Sequence, residues 1–280
     1  MRRQTIGEGL LLLLLAACGP PGLTPKDQIP ADSTQRYAAD ALVLENAAHG
    51  PELCLGGVQE SLPPQCGGVP VAGWDWDEVS GEKRHGNAIY GDFHVVGTYD
   101  GTTFTLTETP GEAQYPEPAR IGSACAEPAG GWERPRPDDA SESDLQEALA
   151  AASGDPDYAG FWIDDPNPPL ENGQQNISLA ILNFAFTGNL EQHTAELRAE
   201  WGGALCVSKH EHTAAELQGI RTQAEATLTE RGLTLLFSDA DEVRGVVSLE
   251  VVFFEADDQA ALDAKYGAGV VVLSAALRPV

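Results

Sequence analysis

The clearest candidates for metal chemistry are two histidines, His210 and His212, which stand two positions apart. Alternate residues of a strand share one face, so both imidazoles could reach a single ion. A zinc site needs at least a third protein ligand, and the spacing of the surrounding residues marks none. That gap favours the alternative interpretation, in which the pair lies at the solvent-facing end of a strand.

A second group of candidate ligands is an oxygen-rich segment between prolines. Carboxylate and amide oxygens are the ligands that calcium prefers, but the segment lacks the order of an EF-hand loop, which favours a turn-rich acidic loop instead. Another acidic run, at 239–242, fits a hairpin turn. The members of the oxygen-rich segment are Asp155, Asp157, Asp164, Asp165 and Asn167.

Two tryptophans, Trp74 and Trp76, alternate with Asp75 and Asp77. An exposed tryptophan here could bind a sugar or a peptide, and the alternative is core packing with one aromatic ring at the rim. The sequence has no serine-nucleophile elbow, no zinc-protease motif, no Walker loop and no Rossmann glycine pattern. We therefore predict no catalytic residue and no cofactor, and expect a protein that is not an enzyme.

The first residues form an export signal: Arg2 and Arg3 precede a leucine run at 10–15, and small residues lead to Cys18. The apolar run is much shorter than the roughly 20 residues that a membrane-spanning helix needs. The sequence Leu-Ala-Ala-Cys at 15–18 resembles the lipobox of bacterial lipoproteins. The alternative is an ordinary secretory signal with a chance cysteine.

The lipobox resemblance implies cleavage before Cys18 and attachment of diacylglyceryl, with fatty acids such as palmitate, to that residue. Residues 1–17 would then be the signal peptide and 18–36 a Gly/Pro-rich tether. The protein would be anchored in a membrane through Cys18, on an extracytoplasmic face. The residue after Cys18 is Gly19 and not the aspartate that favours inner-membrane retention. In a host with two membranes we therefore expect the protein on the outer one.

Four cysteines remain once Cys18 is set aside, and an even number in an exported protein indicates disulfides. Three pairings are possible. Cys54 and Cys66 flank glycines and prolines and can close a local loop, which leaves Cys125 to pair with Cys206 across a long one. Free buried thiols are the alternative.

The composition is strongly acidic. Lys and Arg total 16 against 43 Asp and Glu, a formal net charge of −27. Such a surface repels phosphate backbones, so nucleic acid is not expected as a partner. It could attract cations or basic partners, or it could serve only to keep the protein solvated.

Short runs and turn signals at 37–121 predict a small antiparallel β-barrel or sandwich, and we favour an OB-like barrel. Strands are expected at 69–74, 91–99 and 102–107. The Asp100-Gly101 pair between the last two predicts a hairpin turn.

A linker with one short helix is predicted at 122–157, where Ser141 caps the helix and Gly154 stops it. An α/β domain follows at 158–280, so the fold class is α+β. A longer helix capped by Thr213 and ended by Gly232 is expected within it. The other elements expected are strands at 177–186, 204–207, 233–237, 246–254 and 269–277 and helices at 190–201 and 257–266.

An internal repeat runs through this domain, because apolar residues at 195–207 recur 65 positions later. Leu197 corresponds to Leu262 and Trp201 to Tyr266. Each copy is a strand–helix–strand unit with one apolar helix face that must cover a sheet. Two units sharing one sheet would make a ferredoxin-like α/β sandwich.

The same half resembles the pro-segments of alpha-lytic-type secreted serine proteases. The resemblance rests on the stretch Tyr-Ala-Gly-Phe-Trp-Ile-Asp at 158–164 and on the strand end Phe-Ala-Phe-Thr-Gly at 184–188. It implies a protein-binding module. The leading functional hypothesis is a non-enzymatic envelope lipoprotein that binds a protein or small ligand. A protease-inhibiting or chaperone-like module and a hydrolase with an unmarked site are the alternatives.

Overall fold

The computed structural model describes residues 34–117, 119–167 and 176–280. Over these residues the fold is α+β, with a closed five-stranded barrel, further small sheets and four α-helices. The strands of the N-terminal region are β1 (Tyr37–Glu45), β2 (Glu52–Cys54), β3 (Val69–Ala72), β4 (Lys83–His85), β5 (Ala88–Tyr99), β6 (Phe104–Leu106) and β7 (Gly111–Glu112).

The barrel closes in the order β1-β2-β3-β6-β5, with β5 pairing back onto β1. All of these contacts are antiparallel except that between β3 and β6. Alternate residues of β1 and β5, among them Val43 and Val95, point inward and are fully buried. Strand β1 is not among the strands that the sequence predicts for this region.

The predicted hairpin at Asp100-Gly101 is present and joins β5 to β6. Gly101 takes a φ of +94°, which glycine adopts without strain. Backbone amides of Thr102 and Thr103 donate to the Asp100 carboxylate and hold its pKa below the usual range. A Cβ at Gly97 would lie 2.2 Å from the Thr105 carbonyl oxygen, so glycine is required at this position for the close approach of β5 to β6.

The C-terminal region has two copies of one element order, α-β-β-α-β. We call residues 142–209 the first repeat and residues 214–275 the second repeat. The first contains α1 (Glu142–Ser153), β8 (Tyr158–Asp164), β9 (Ile181–Phe186), α2 (Leu190–Glu200) and β10 (Ala204–Lys209). The second contains α3 (Ala214–Glu230), β11 (Leu235–Asp241), β12 (Val246–Val251), α4 (Ala256–Tyr266) and β13 (Val271–Ala275), and a short strand β14 (Arg278–Pro279) follows.

The predicted caps are confirmed. Ser141 and Thr213 each accept a hydrogen bond from the backbone amide three residues on and form complete capping boxes. Gly154 follows the last turn of α1 as its C-cap. The strand expected at 177–186 begins only at Ile181, because Ile177–Leu179 forms a 3-10 turn.

The prediction that both repeats share one ferredoxin-like sheet is wrong for the described residues. Each repeat forms its own three-stranded sheet, with one antiparallel and one parallel contact. The turn after β11 lies against β8, where the Glu242 carboxylate accepts the Phe161 amide. A Cβ at Gly160 would lie 2.7 Å from the Glu242 carbonyl oxygen. The edge of β8 therefore meets a turn rather than another strand.

The barrel, the first repeat and the second repeat each have their own core contacts, and the second repeat also contacts the barrel. Helix α1 packs on the three-stranded sheet of the first repeat, where Leu145 and Ala148 share a core with Phe184 and Trp201. Val252 and Leu277, which follow strands of the second repeat, are buried in the barrel core. Strand β14 then pairs with β1 in antiparallel register and so adds a short strand to the barrel sheet.

Candidate functional site

Both predicted disulfides are present. Cys54 at the end of β2 is bonded to Cys66, with the Cα atoms 5.9 Å apart, and closes the loop before β3. Cys125 is bonded to Cys206 of β10 at a Cα separation of 5.8 Å, which fastens the segment after the barrel to the first repeat. The two bonds indicate an oxidising, extracytoplasmic environment.

Cys18, the predicted lipidation site, lies outside the described residues. Within the part of the chain that the structure describes, none of the helices has the length and apolar character needed to cross a membrane.

The two tryptophans lie together on the barrel. Trp74 packs edge-to-face on Phe93 with ring centroids 5.0 Å apart, and Trp76 lies 5.1 Å from Trp74. The indole N–H of Trp76 donates to the Glu45 carboxylate at 2.6 Å. Both rings are half-buried against the barrel core, which is the packing interpretation of this motif rather than a ring standing free for a ligand.

His210 and His212 contact different neighbours. The His210 ring stacks on Trp162 with centroids 6.1 Å apart, and burial there lowers its pKa. His212 instead lies 3.7 Å from the Glu216 carboxylate at the start of α3. Among residues 34–117, 119–167 and 176–280, neither histidine belongs to a group of three metal-binding side chains.

The oxygen-rich segment divides into two parts with different surroundings. Asp164 is buried and ion-paired with Arg120 at 2.6 Å, and it also accepts the Ser123 amide, so it links the segment after the barrel to β8. Asp165 accepts the Asn167 amide in a local turn. Asp155 and Asp157 lie elsewhere, at the turn between α1 and β8.

Asp155 and Asp157 meet His193 of α2, a residue that the sequence did not single out. The donor atoms of these three side chains, which we call the His193 cluster, all lie within 4.8 Å of one another. Only the packing of α2 beside the turn brings them together. The one available sequence signal is helical spacing. His193 lies four residues before Leu197 and so shares the inward face of α2, where a histidine is unusual.

A larger concavity, the barrel groove, crosses β5 between the segment before β4 and the segment around β7. Its volume is about 700 Å³, within the range of small-ligand sites. Gly91 and Phe93 of β5 are among the residues that line it. Three exposed carboxylates and a single lysine carry its charge: Glu78, Asp92, Glu112 and Lys83.

Tyr115 lies at the margin of the groove and donates its hydroxyl to Asp92 at 3.0 Å. Burial and then the Asp92 carboxylate raise the pKa of the Tyr115 phenol, which stays neutral as a donor. The groove therefore presents a negative surface with one fixed phenol at its edge.

A neighbouring carboxylate, Asp40 of β1, links the barrel to the end of the chain. Its carboxylate accepts hydrogen bonds from the His94 ring at 2.9 Å, from the backbone amide of Gln114 at 3.0 Å and from the Arg278 guanidinium at 2.7 Å. Burial would raise the pKa of Asp40, but these hydrogen bonds outweigh it and lower the pKa below its usual value. Both carboxylate oxygens of Asp40 thus accept hydrogen bonds within the fold.

No protein-family model and no curated protein sequence matches this chain.

Proposed function

We propose that this chain is a non-enzymatic, lipid-anchored binding protein of the extracytoplasmic envelope, and that its barrel groove holds a positively charged group of a partner protein or small ligand. The observation that carries the proposal is a groove of about 700 Å³ whose charge comes from three carboxylates and one lysine. Water-exposed carboxylates around a concave surface raise the local concentration of cations and steer them inward.

The anchor is part of this proposal. Attachment through Cys18 would place a tether of about twenty residues between membrane and barrel, and the strongly negative net charge would keep the folded part off anionic lipid. Fatty-acid labelling of cells that express the chain tests it. Wild type should incorporate the label and Cys18→Ala should not; label retained in that variant would contradict the anchor.

We also infer an OB-like barrel. Five strands, Greek-key connections and closure of β5 on β1 support this type. The assignment of the ligand groove does not depend on it, since the groove is defined by its own walls.

Binding of an arginine hexapeptide to the full exported domain tests the groove. Glu78→Gln/Glu112→Gln removes two groove carboxylates and should weaken binding about tenfold or more at low salt. The matched control, Glu117→Gln/Glu147→Gln, removes the same charge from exposed positions outside the groove. An equal loss in both variants would show a net-charge effect and would contradict a groove site.

A second candidate function is a protease-inhibiting or chaperone-like module, and the duplicated α-β-β-α-β order is the observation that favours it. Inhibition of secreted serine proteases, or faster refolding of their denatured forms, by the full chain would support it. Absence of both effects with a panel of such proteases would reject it.

A further inference from the structure

The His193 cluster contains a buried side chain with an unsatisfied ring nitrogen. His193 is 3% exposed, and its Nε2 has no hydrogen-bond partner among the residues that the structure describes. That nitrogen faces Asp157 Oδ2 at 3.7 Å and Asp155 Oδ1 at 3.9 Å. A lone pair and two carboxylate oxygens thus converge on one small space.

The imidazole is held in place from both sides. Its ring stacks on Phe186 with centroids 3.9 Å apart and planes 8° apart. Its Nδ1 lies 3.4 Å from the Glu196 carboxylate, so that carboxylate stands behind the ring while Nε2 faces the two aspartates. Carboxylates behind a metal-ligating histidine are placed in this way.

The two aspartates are also fixed by neighbours. Asp157 Oδ2 accepts from the Asn189 side chain at 2.8 Å, and Asp155 Oδ1 accepts the Asp157 backbone amide at 2.7 Å. The side chains of both aspartates are about one-third exposed, which leaves a path for an ion from solvent. The site is preorganised and reachable.

The spacing fits a small divalent ion. Two ligands each about 2.1 Å from one ion at a tetrahedral angle lie about 3.4 Å apart, close to the two distances from His193. The adjoining cavity, lined by Asp155, His193 and Glu196 with apolar residues, measures about 30 Å³. That volume suits an ion or one water molecule and excludes an organic substrate.

The second repeat shows what the same position holds when it is satisfied internally. Sixty-five residues after His193 stands Asp258, which is fully buried. The Asp258 carboxylate accepts from the guanidinium of Arg231, the C-cap of α3, at 2.7 Å. The turn after the first helix of the repeat thus supplies a cation in the second repeat and two anions in the first.

We propose that the His193 cluster binds one first-row transition-metal ion, of which zinc is the probe. Imidazole with carboxylates suits zinc or manganese, whereas calcium and magnesium prefer oxygen ligands alone. The ion occupies the place that the Arg231 guanidinium fills in the second repeat. Its role is structural: it fastens the α1–β8 turn to α2.

Titration of the chelator-treated full exported domain with Zn²⁺ at pH 7.5 tests the proposal. We expect one site per chain by calorimetry and a rise in Tm of about 5 °C when zinc is about 100-fold above its Kd. Ca²⁺ and Mg²⁺ at the same concentration should give a much smaller shift.

His193→Gln should abolish the zinc-dependent shift, and His85→Gln, an exposed histidine on β4, should preserve it. Asp155→Asn serves as a second variant if His193→Gln does not fold, and its zinc affinity should fall at least tenfold. An unchanged shift in these variants, a larger shift with calcium, or an imidazole that stays doubly protonated and insensitive to zinc by NMR would overturn the proposal.

Discussion

The two repeats share one order of elements but differ in the polar residue that is buried at the equivalent positions 193 and 258. In the first, His193 faces Asp155 and Asp157 without a hydrogen bond to its Nε2. In the second, Asp258 is paired with Arg231. The apolar positions Leu197 and Leu262 are equivalent and both buried. The buried apolar position is therefore kept in both repeats, while the buried polar position differs in residue type and in its neighbours.

The repeats also differ in how they are fastened. The first is cross-linked by Cys125–Cys206. The second is joined to the barrel through Leu277 in the barrel core and through β14 on β1. Each link can be removed separately, so the comparison can be tested one contact at a time.

Removal of the long-range disulfide should have the largest effect. Cys125→Ala/Cys206→Ala should lower the free energy of unfolding by about 4 kcal/mol, because a loop of some 80 residues is released. Urea unfolding measures the change, and hydrogen exchange should show faster opening of β9 and β10 than of β12 and β13. Equal acceleration in both sheets would contradict a link specific to the first repeat.

Cys54→Ala/Cys66→Ala is the matched control for that experiment, because it removes a disulfide that closes a short loop in the barrel. Its cost should be smaller, about 3 kcal/mol, and hydrogen exchange in both repeats should stay as in the wild type.

Arg231→Ala should cost about 3 kcal/mol, because the buried Asp258 carboxylate would lose the cation that it pairs with. Arg244→Ala is the control, since Arg244 forms an exposed pair with Asp241 and should cost less than about 1 kcal/mol. Similar losses in the two variants would show that the second repeat does not rely on its internal cation.

Three local features of the fold could be predicted from the sequence alone, namely two helix caps and one hairpin turn. The caps at Ser141 and Thr213 and the turn at Asp100-Gly101 are local, so residue type and neighbours determine them. The separation of the two sheets depends on how the Glu242 turn meets β8, which no period or spacing reveals. The His193 cluster likewise depends on the docking of α2 beside a turn almost forty residues earlier.

The link between the second repeat and the barrel should weaken in acid. The folded state lowers the pKa of Asp40, so the stability it contributes is complete above its unfolded pKa of about 3.9 and is lost as pH falls through the folded value. Asp40→Asn should cost about 1.5 kcal/mol at pH 7.

Urea unfolding of both proteins from pH 7 to pH 2 provides the check. The stability difference between wild type and Asp40→Asn should shrink as pH falls. A difference that stays constant through this range would mean that the Asp40 charge contributes nothing to the link.

The most direct test of an external cation in the first repeat is anomalous diffraction at the zinc edge from crystals grown with zinc. We expect one peak bounded by His193 Nε2 and the carboxylates of Asp155 and Asp157, with no peak between Asp258 and Arg231. An empty His193 cluster, with the imidazole moved into direct hydrogen bonds with the two aspartates, would contradict the account.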